Sequence, residues 1–264
     1  MNNSNGFANL ALTWKQHTAR CGSGSKHTSE KNLNELPNAD CLPDELPANP
    51  MRWADAWLRQ ATADELQPHP NAMTLVTVAA DGQPSARIVL CKDLIPDPGY
   101  LVFYTNYESR KAQDIAGDSR VAAQFHWDAI GLQVRIEGIA VRSPEAESDE
   151  YFASRDWGSQ LGAWGSDQSA EIGSRDELLA QIRQRAANLG LSLAPDGQAL
   201  ESTDRPVIAR PPHWGGYRIW ATAIELWLAG ADRIHERALW QRQIDRIDDH
   251  EFTTTAWESA RLQP

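Results

Sequence analysis

Cysteine is scarce in this 264-residue chain: Cys21, Cys41 and Cys91 are an odd number and show no Cys-x-x-Cys spacing. That excludes a fully paired disulfide framework and a cysteine-based zinc site, and it fits a reducing, cytoplasmic setting. Long apolar runs are missing as well. None approaches the ~20 residues that span a bilayer. The opening MNNSNGFANLALTWKQ lacks the basic start and apolar centre of a secretory signal. Positive charge is in the minority, with 25 Lys and Arg against 36 Asp and Glu, a formal charge of −11 and a pI of about 5.1. Such a balance argues against a nucleic-acid surface, which needs clustered positive charge. It leaves room for a small anion in a locally basic pocket. Also absent are GxGxxG, GxxxxGK[ST], HExxH, a His/Cys cluster with zinc spacing and a Ser–His–acid arrangement. Neither a protein-held metal nor a serine nucleophile is therefore expected.

What the chain does have is tryptophan, eleven of them, which reads first as core and interface packing. Residues 1–48 are polar and without sustained periodicity, and are read as a mobile N-terminal arm. Residues 49–264 are expected to form a single domain. A helix is predicted over Trp53–Leu66, with Trp53, Trp57 and Leu58 as its apolar stripe, ended by Pro68 and Pro70. Strands follow: Met73–Ala80, an Asp81–Gly82 turn, then Pro84–Leu94 and Gly99–Thr105. Ser109 is expected to cap a short helix running through Asp114–Ile115. Two further strands are read at Arg120–Trp127 and Leu132–Arg142, and helices at Pro144–Arg155 and Arg175–Leu189. Ala194–Arg205 is read as a surface loop. The last group is Tyr217–Leu228, Arg233–Gln241 and Thr253–Leu262. Six to eight strands with few long helices point to a mainly β, α+β fold, a closed or partly closed antiparallel barrel flanked by helices.

Within this frame the cations cluster. Alternation along a strand would put Arg233, His235 and Arg237 on one face. Three cation-capable groups repel one another unless an anion lies between them, and phosphate, at two separate places, is the anion inferred. Arg87 and Lys92 flank an apolar strand centre, although their odd spacing points them to opposite faces; taken alone they read equally well as solvated strand ends. Arg110 and Lys111 stand in the first turn of a helix, where the dipole disfavours cations unless an anion compensates. Tyr151 and Arg155, four apart on one helical face, join Ser159 as a second candidate clamp, with helix capping and a surface ion pair as the bland alternative. Gln133, Gln168 and Ser169 taken alone read as ordinary solvated polar residues. A pocket for phosphates without nucleophile or metal signatures leaves the chemistry to an organic cofactor.

At this point the residues resemble a known family, the FMN-dependent pyridoxine/pyridoxamine 5′-phosphate oxidases. The matching runs are RIVLCK (87–92), VFYTNYESRKA (102–112), QVRIEG (133–138), YFASR with SQLGAW (151–164), QS (168–169), WGGYR (214–218), IELW (224–227), RIHER (233–237) and RLQP (261–264). They occur in the family's order from about Leu46 to Pro264. The resemblance implies a split β-barrel homodimer with FMN at the subunit interface. It implies that Arg87, Lys111 and Ser169 hold the FMN phosphate with Arg110 close by. Tyr104, Thr105, Gln133, Gln168, Trp227 and Arg237 would line the rest of the flavin, and Ile88, Val89, Leu90, Cys91 and Lys92 belong to the same flavin-binding run. Lys92, Tyr151, Arg155 and Ser159 would hold the substrate phosphate, with Arg233 and His235 on its pyridine ring as the catalytic pair. The implied reaction oxidises pyridoxamine or pyridoxine 5′-phosphate to pyridoxal 5′-phosphate, by hydride transfer from C4′ to flavin N5 and reoxidation by O2. Leu132, Asp156, Leu228 and Cys91 depart from the family's usual residues. Two alternatives are a related flavin oxidase of phenazine-type secondary metabolism and a non-catalytic flavin or pyridoxal-phosphate carrier.

Overall fold

A computed structural model describes residues 41–65, 67–191, 193 and 207–264. Residues 1–40 of the expected arm, and the expected loop Ala194–Arg205, lie outside the described residues. The arm's last eight residues are described, and they lie against the sheet. Leu42 is buried, its N–H donates to Glu236, and the Pro47 carbonyl accepts from Trp240 Nε1 at 2.8 Å.

Helix α1 (Pro50–Ala63) starts earlier than its apolar stripe indicated, because Pro50 sits in the first turn and the Asn49 side chain accepts from the Met51 N–H. It buries Met51, Ala54, Trp57 and Ala61, one stripe at three- and four-residue steps. Strands β1 (Ala72–Val78) and β2 (Pro84–Leu90) form the expected hairpin, with Gly82 at φ +84° in the turn. The predicted return strand breaks after Leu90. The chain turns at Cys91–Lys92 and resumes as β3 (Asp93–Ile95), paired to β4 (Tyr100–Asn106). Helix α2 (Arg110–Gly117), β5 (Arg120–Trp127) and β6 (Leu132–Arg142) follow as expected. Helix α3 (Glu145–Ser154) is succeeded by α4 (Trp157–Gly165), where no helix was predicted, and then by α5 (Arg175–Asn188). Helix α4 was hidden by its Gly and Trp content; its start is marked by Asp156 as N-cap. The 15-residue β7 (Trp214–Leu228) is the spine of the molecule. Beyond it lie β8 (Glu236–Gln241), β9 (Ile244–Arg246), β10 (Phe252–Thr254) and β11 (Glu258–Leu262), so the last predicted strand is in fact two.

The fold is mainly β, with five α-helices among the described residues flanking a curled, part-closed antiparallel barrel. Sheet order is β11-β8-β7-β6-β5-β1-β2. Strand β4 pairs with the first half of β7 and β8 with its last part. A register shift at Glu137/Gly138 lets β6 follow the curl of β7. The main core joins Trp57 of α1 to Phe103, Phe125, Trp127, Ile136, Ile224 and Trp240 inside the barrel. Each such side chain contributes roughly 1.5–3 kcal/mol when fully buried. A second cluster, Phe152, Leu161 and Trp214 with their neighbours, fastens α3 and α4 to the start of β7. That cluster forms one wall of the pocket described next.

Candidate active site

A cavity of about 520 Å³ opens between β2, β4, α3 and α4. It is the size of an ordinary small-molecule site. Ile88, Val89, Leu90, Lys92, Tyr104, Thr105, Lys111, Tyr151, Arg155, Ser159 and Gln168 all line it, residues far apart in the sequence. Trp214 and Asp156, to which no role was assigned from sequence, line it too.

One floor of the cavity is a buried ammonium. Lys111 is 8 % exposed, and its Nζ donates to Thr105 Oγ1 (2.9 Å), Ser109 Oγ (2.9 Å) and Gln168 Oε1 (2.6 Å), all neutral oxygens. Burial, then the charge of Arg87, pushes its pKa down to about 8. Ser109 begins α2 as expected, but its hydroxyl makes no cap bond; it donates to the Asn106 carbonyl and accepts from Lys111. The serine thus orients the lysine instead of the helix. Arg87 lies beside this group, held by Thr77 Oγ1 (2.6 Å), the Leu75 carbonyl (3.3 Å) and, across 3.7 Å, Asp114. Thr77 in turn donates to Asp114 at 2.6 Å. This bolt between β1 and α2 has no sequence signature, since its members are 37 positions apart. Arg110 and Ser169 do not reach the main cavity. They line an adjoining one of about 250 Å³, and Gln168 is shared by both. Ser169 holds φ +78°, a left-handed conformation that turns the chain just past Gln168.

The opposite wall is aromatic and cationic. Tyr104 stacks on Tyr151 (centroids 3.9 Å apart) and on Trp214 (5.5 Å). Gly216 permits this approach, because a Cβ there would come within 2.9 Å of the Tyr104 ring. Burial raises the Tyr104 pKa. Lys92 Nζ lies 5.7 Å from the Tyr151 ring and the Arg155 guanidinium 4.5 Å from that of Trp214. Arg155 Nη1 is buried without a hydrogen-bond partner. Burial also lowers the Arg155 pKa. Tyr151 and Arg155 meet in the pocket, but not as one helical face: α3 ends at Ser154 and Arg155 is extended, ψ 150°. Cys91 faces the core, with Sγ 3.3 Å from the Asp93 carbonyl and a thiol pushed up to about 12 by burial, and unlike its neighbours Leu90 and Lys92 it does not line the cavity.

The remaining expected residues form a separate group at the far end of β7. Gln133 pairs with Trp227 across the sheet and accepts from Gln124 at 3.1 Å. Trp227 pairs with Arg237, and its ring lies 4.6 Å from that of His235. Arg237 donates from Nε to Glu225 (2.8 Å) and from Nη1 to the Gln263 carbonyl (3.0 Å). Arg233, His235 and Arg237 are not one strand face. Strand β8 begins only at Glu236; Arg233 closes a 3-10 turn at φ +66°, and His235 Nδ1 accepts the Gly230 N–H at 3.1 Å. A tight turn, which strand periodicity cannot register, sets their positions.

Residues 58–188 match the family model described as pyridoxamine 5′-phosphate oxidase, and residues 214–264 match that of the pyridoxine 5′-phosphate oxidase C-terminal dimerisation region. A pyridoxine/pyridoxamine 5′-phosphate oxidase of Cupriavidus metallidurans is 41% identical over 232 residues, 88% of this chain and 94% of its own. The chain belongs to the pyridoxine/pyridoxamine 5′-phosphate oxidase family. It is an oxidoreductase of that family. A Burkholderia lata oxidase of the same description is 44% identical over 216 residues, 82% of this chain and 89% of its own. Among solved structures, PhzG of Burkholderia lata in complex with tetrahydrophenazine-1-carboxylic acid aligns with a TM-score of 0.66 and 27% identity, covering 84% of this chain and 95% of its own. An FMN-binding, pyridoxamine 5′-phosphate oxidase-related protein of Nostoc punctiforme shares the fold at a TM-score of 0.58 and 16% identity, covering 81% and 97%. No helix among the described residues is long and apolar enough to cross a membrane, and none of their His, Cys, Asp and Glu side chains cluster as metal ligands.

Proposed function

We propose that the protein oxidises pyridoxamine or pyridoxine 5′-phosphate to pyridoxal 5′-phosphate with FMN as cofactor and O2 as acceptor, working as a homodimer. The observation that carries this reading is the buried Lys111. Its three partners are neutral oxygens and its charge is strained by burial, which suits a donor set built around an anion. The donors fit FMN: Lys111 and Arg87, with Arg110 and Ser169 at the adjoining cavity, would hold its phosphate, and Thr105 and Gln168 would line it. Lys92, Arg155 and Ser159 would hold the substrate phosphate, and Tyr151 would pack against the substrate. FMN, when bound, supplies a hydride acceptor for the substrate C4′ and a route for the electrons to oxygen.

A second copy completes the site. Trp214 and Trp227 stand near opposite ends of β7, which at about 3.3 Å per residue separates them by roughly 40 Å along the strand. A single small-molecule pocket cannot span that. If a partner brings its Gln133, Trp227, Arg233, His235 and Arg237 to this chain's cavity, all the expected groups would face one ligand pair, and the match of residues 214–264 to the family's dimerisation region supports such a contact. Arg233 and His235 would then cover the pyridine ring and exclude water, while the phosphate clamp supplies the remote binding energy that orients C4′.

The deciding experiment is aerobic turnover of FMN-reconstituted protein on both phosphorylated vitamers, following aldehyde and peroxide together. Equimolar formation of the two is expected; a yellow protein that binds the vitamers without turnover sinks the reading. The alignment with PhzG favours one other substrate class, a phosphate-free tricyclic acid. Turnover of such a compound, but not of the vitamers, would select it.

A further inference from the structure

One acidic side chain lines this otherwise cation-rich cavity together with Arg155 and Ser159: Asp156. It is the N-cap of α4, and its Oδ1 accepts the Ser159 N–H at 2.9 Å. The neighbouring Ser159 side chain and that bond together pull its carboxyl below the usual carboxylate range. The free N–H groups at the start of a helix, with the positive end of its dipole, are what would otherwise receive a ligand phosphate. Here the chain's own carboxylate occupies one of them, that of Ser159, and it also lies close enough to Arg155 for its charge to be felt there.

We propose that Asp156 is a specificity-determining residue: its carboxylate fills the anion-binding start of α4 and lowers the pocket's preference for a phosphorylated over an unphosphorylated substrate. A phosphate entering beside Arg155 meets a fixed negative charge and finds the Ser159 N–H already engaged. It is left with Lys92, Arg155 and the Ser159 hydroxyl. A neutral hydroxymethyl group at the same place pays no such repulsion. Discrimination is a difference between two affinities, and a like charge set against one ligand narrows it. Asp156 stays ionised at neutral pH, since its hydrogen bonds from Ser159 lower its pKa.

This inference rests on the vitamer reading of the pocket, and its test separates the two. The FMN-loaded enzyme and its Asp156→Asn variant are compared by equilibrium dialysis with pyridoxal 5′-phosphate and with pyridoxal, alongside the turnover assay. Asparagine caps a helix as well as aspartate does, so the fold is kept while the charge goes. Asp156→Ser, a second uncharged cap, serves if the first variant folds poorly. The ratio of the two dissociation constants is expected to rise in favour of the phosphorylated ligand by about tenfold on removing the charge. An unchanged ratio in a folded variant would show Asp156 to be a cap alone and overturn the proposal. Failure of turnover with the binding ratio shifted would instead overturn the oxidase reading and leave the role of Asp156 standing.

Discussion

Lys111 shows how a single residue's environment carries functional information. An unfolded lysine titrates near 10.4, whereas burial brings Lys111 to about 8. Between these values the unfolded chain holds more protons, so the contribution of this group to the stability of the FMN-free protein rises with pH through that window. A bound anion needs the charged form, so FMN affinity should fall as pH rises past 8, when read by flavin fluorescence quenching between pH 7 and 9.5. Lys111→Met should weaken FMN binding by roughly 100-fold, the loss of a charge-assisted bond, and flatten that pH profile. A profile equally steep in the variant would assign the titration elsewhere. Arg87→Ala should lower flavin content first, while Arg233→Ala should lower turnover far more than flavin content. Equal loss of both properties in both variants would count against this division of roles, with thermal stability measured beside each. The chemistry of these side chains was legible in the sequence as basic clusters. The partners that make them unusual were not: Thr77, Asp114 and Ser109 meet Arg87 and Lys111 only through folding.

At the scale of elements, the site depends on joints between strands and helices. Thr77 is fully buried where β1 meets α2, donating to Asp114 and accepting from Arg87. Thr77→Val keeps the shape and removes both bonds, so it should cost about 1–3 kcal/mol in chemical denaturation and release Arg87 from its place. Glu225 is the corresponding joint at the far end of β7. It is 3 % exposed and paired with Arg135 of β6 (3.2 Å) and Arg237 of β8 (2.8 Å). Glu225→Gln should cost a similar 1–3 kcal/mol; a melting temperature equal to wild type would show that the two arginines find water instead. Strand alternation and turn residues located most elements. They missed α4, and they merged β2 with β3, because a short helix of Gly and Trp and a two-residue break leave little periodic signal.

For the whole molecule, the separation of the two groups along β7 makes a prediction about assembly. If each site takes the cavity from one chain and the RIHER turn from the other, a Lys111→Met chain and an Arg233→Ala chain should complement each other. Co-expressed at equal levels with different tags, half the dimers are hybrids carrying one intact site each, so activity should recover to about a quarter of wild type. Tandem-purified hybrids that stay as inactive as either parent would show that each site is built within one subunit.

Sequence by itself determined the mainly β fold class, most strand and helix positions, and the residue types from which the site is made, since these follow from local periodicity, turn chemistry and ordered motifs. The tertiary structure alone decided which of those residues meet. It placed Lys111 under burial beside Arg87, set Arg233 in a left-handed turn instead of a strand, and turned Asp156 into the cap of an unforeseen helix facing the pocket. Each of these depends on contacts between residues distant in the chain or on a backbone turn without period, and neither is encoded in a local pattern of side chains.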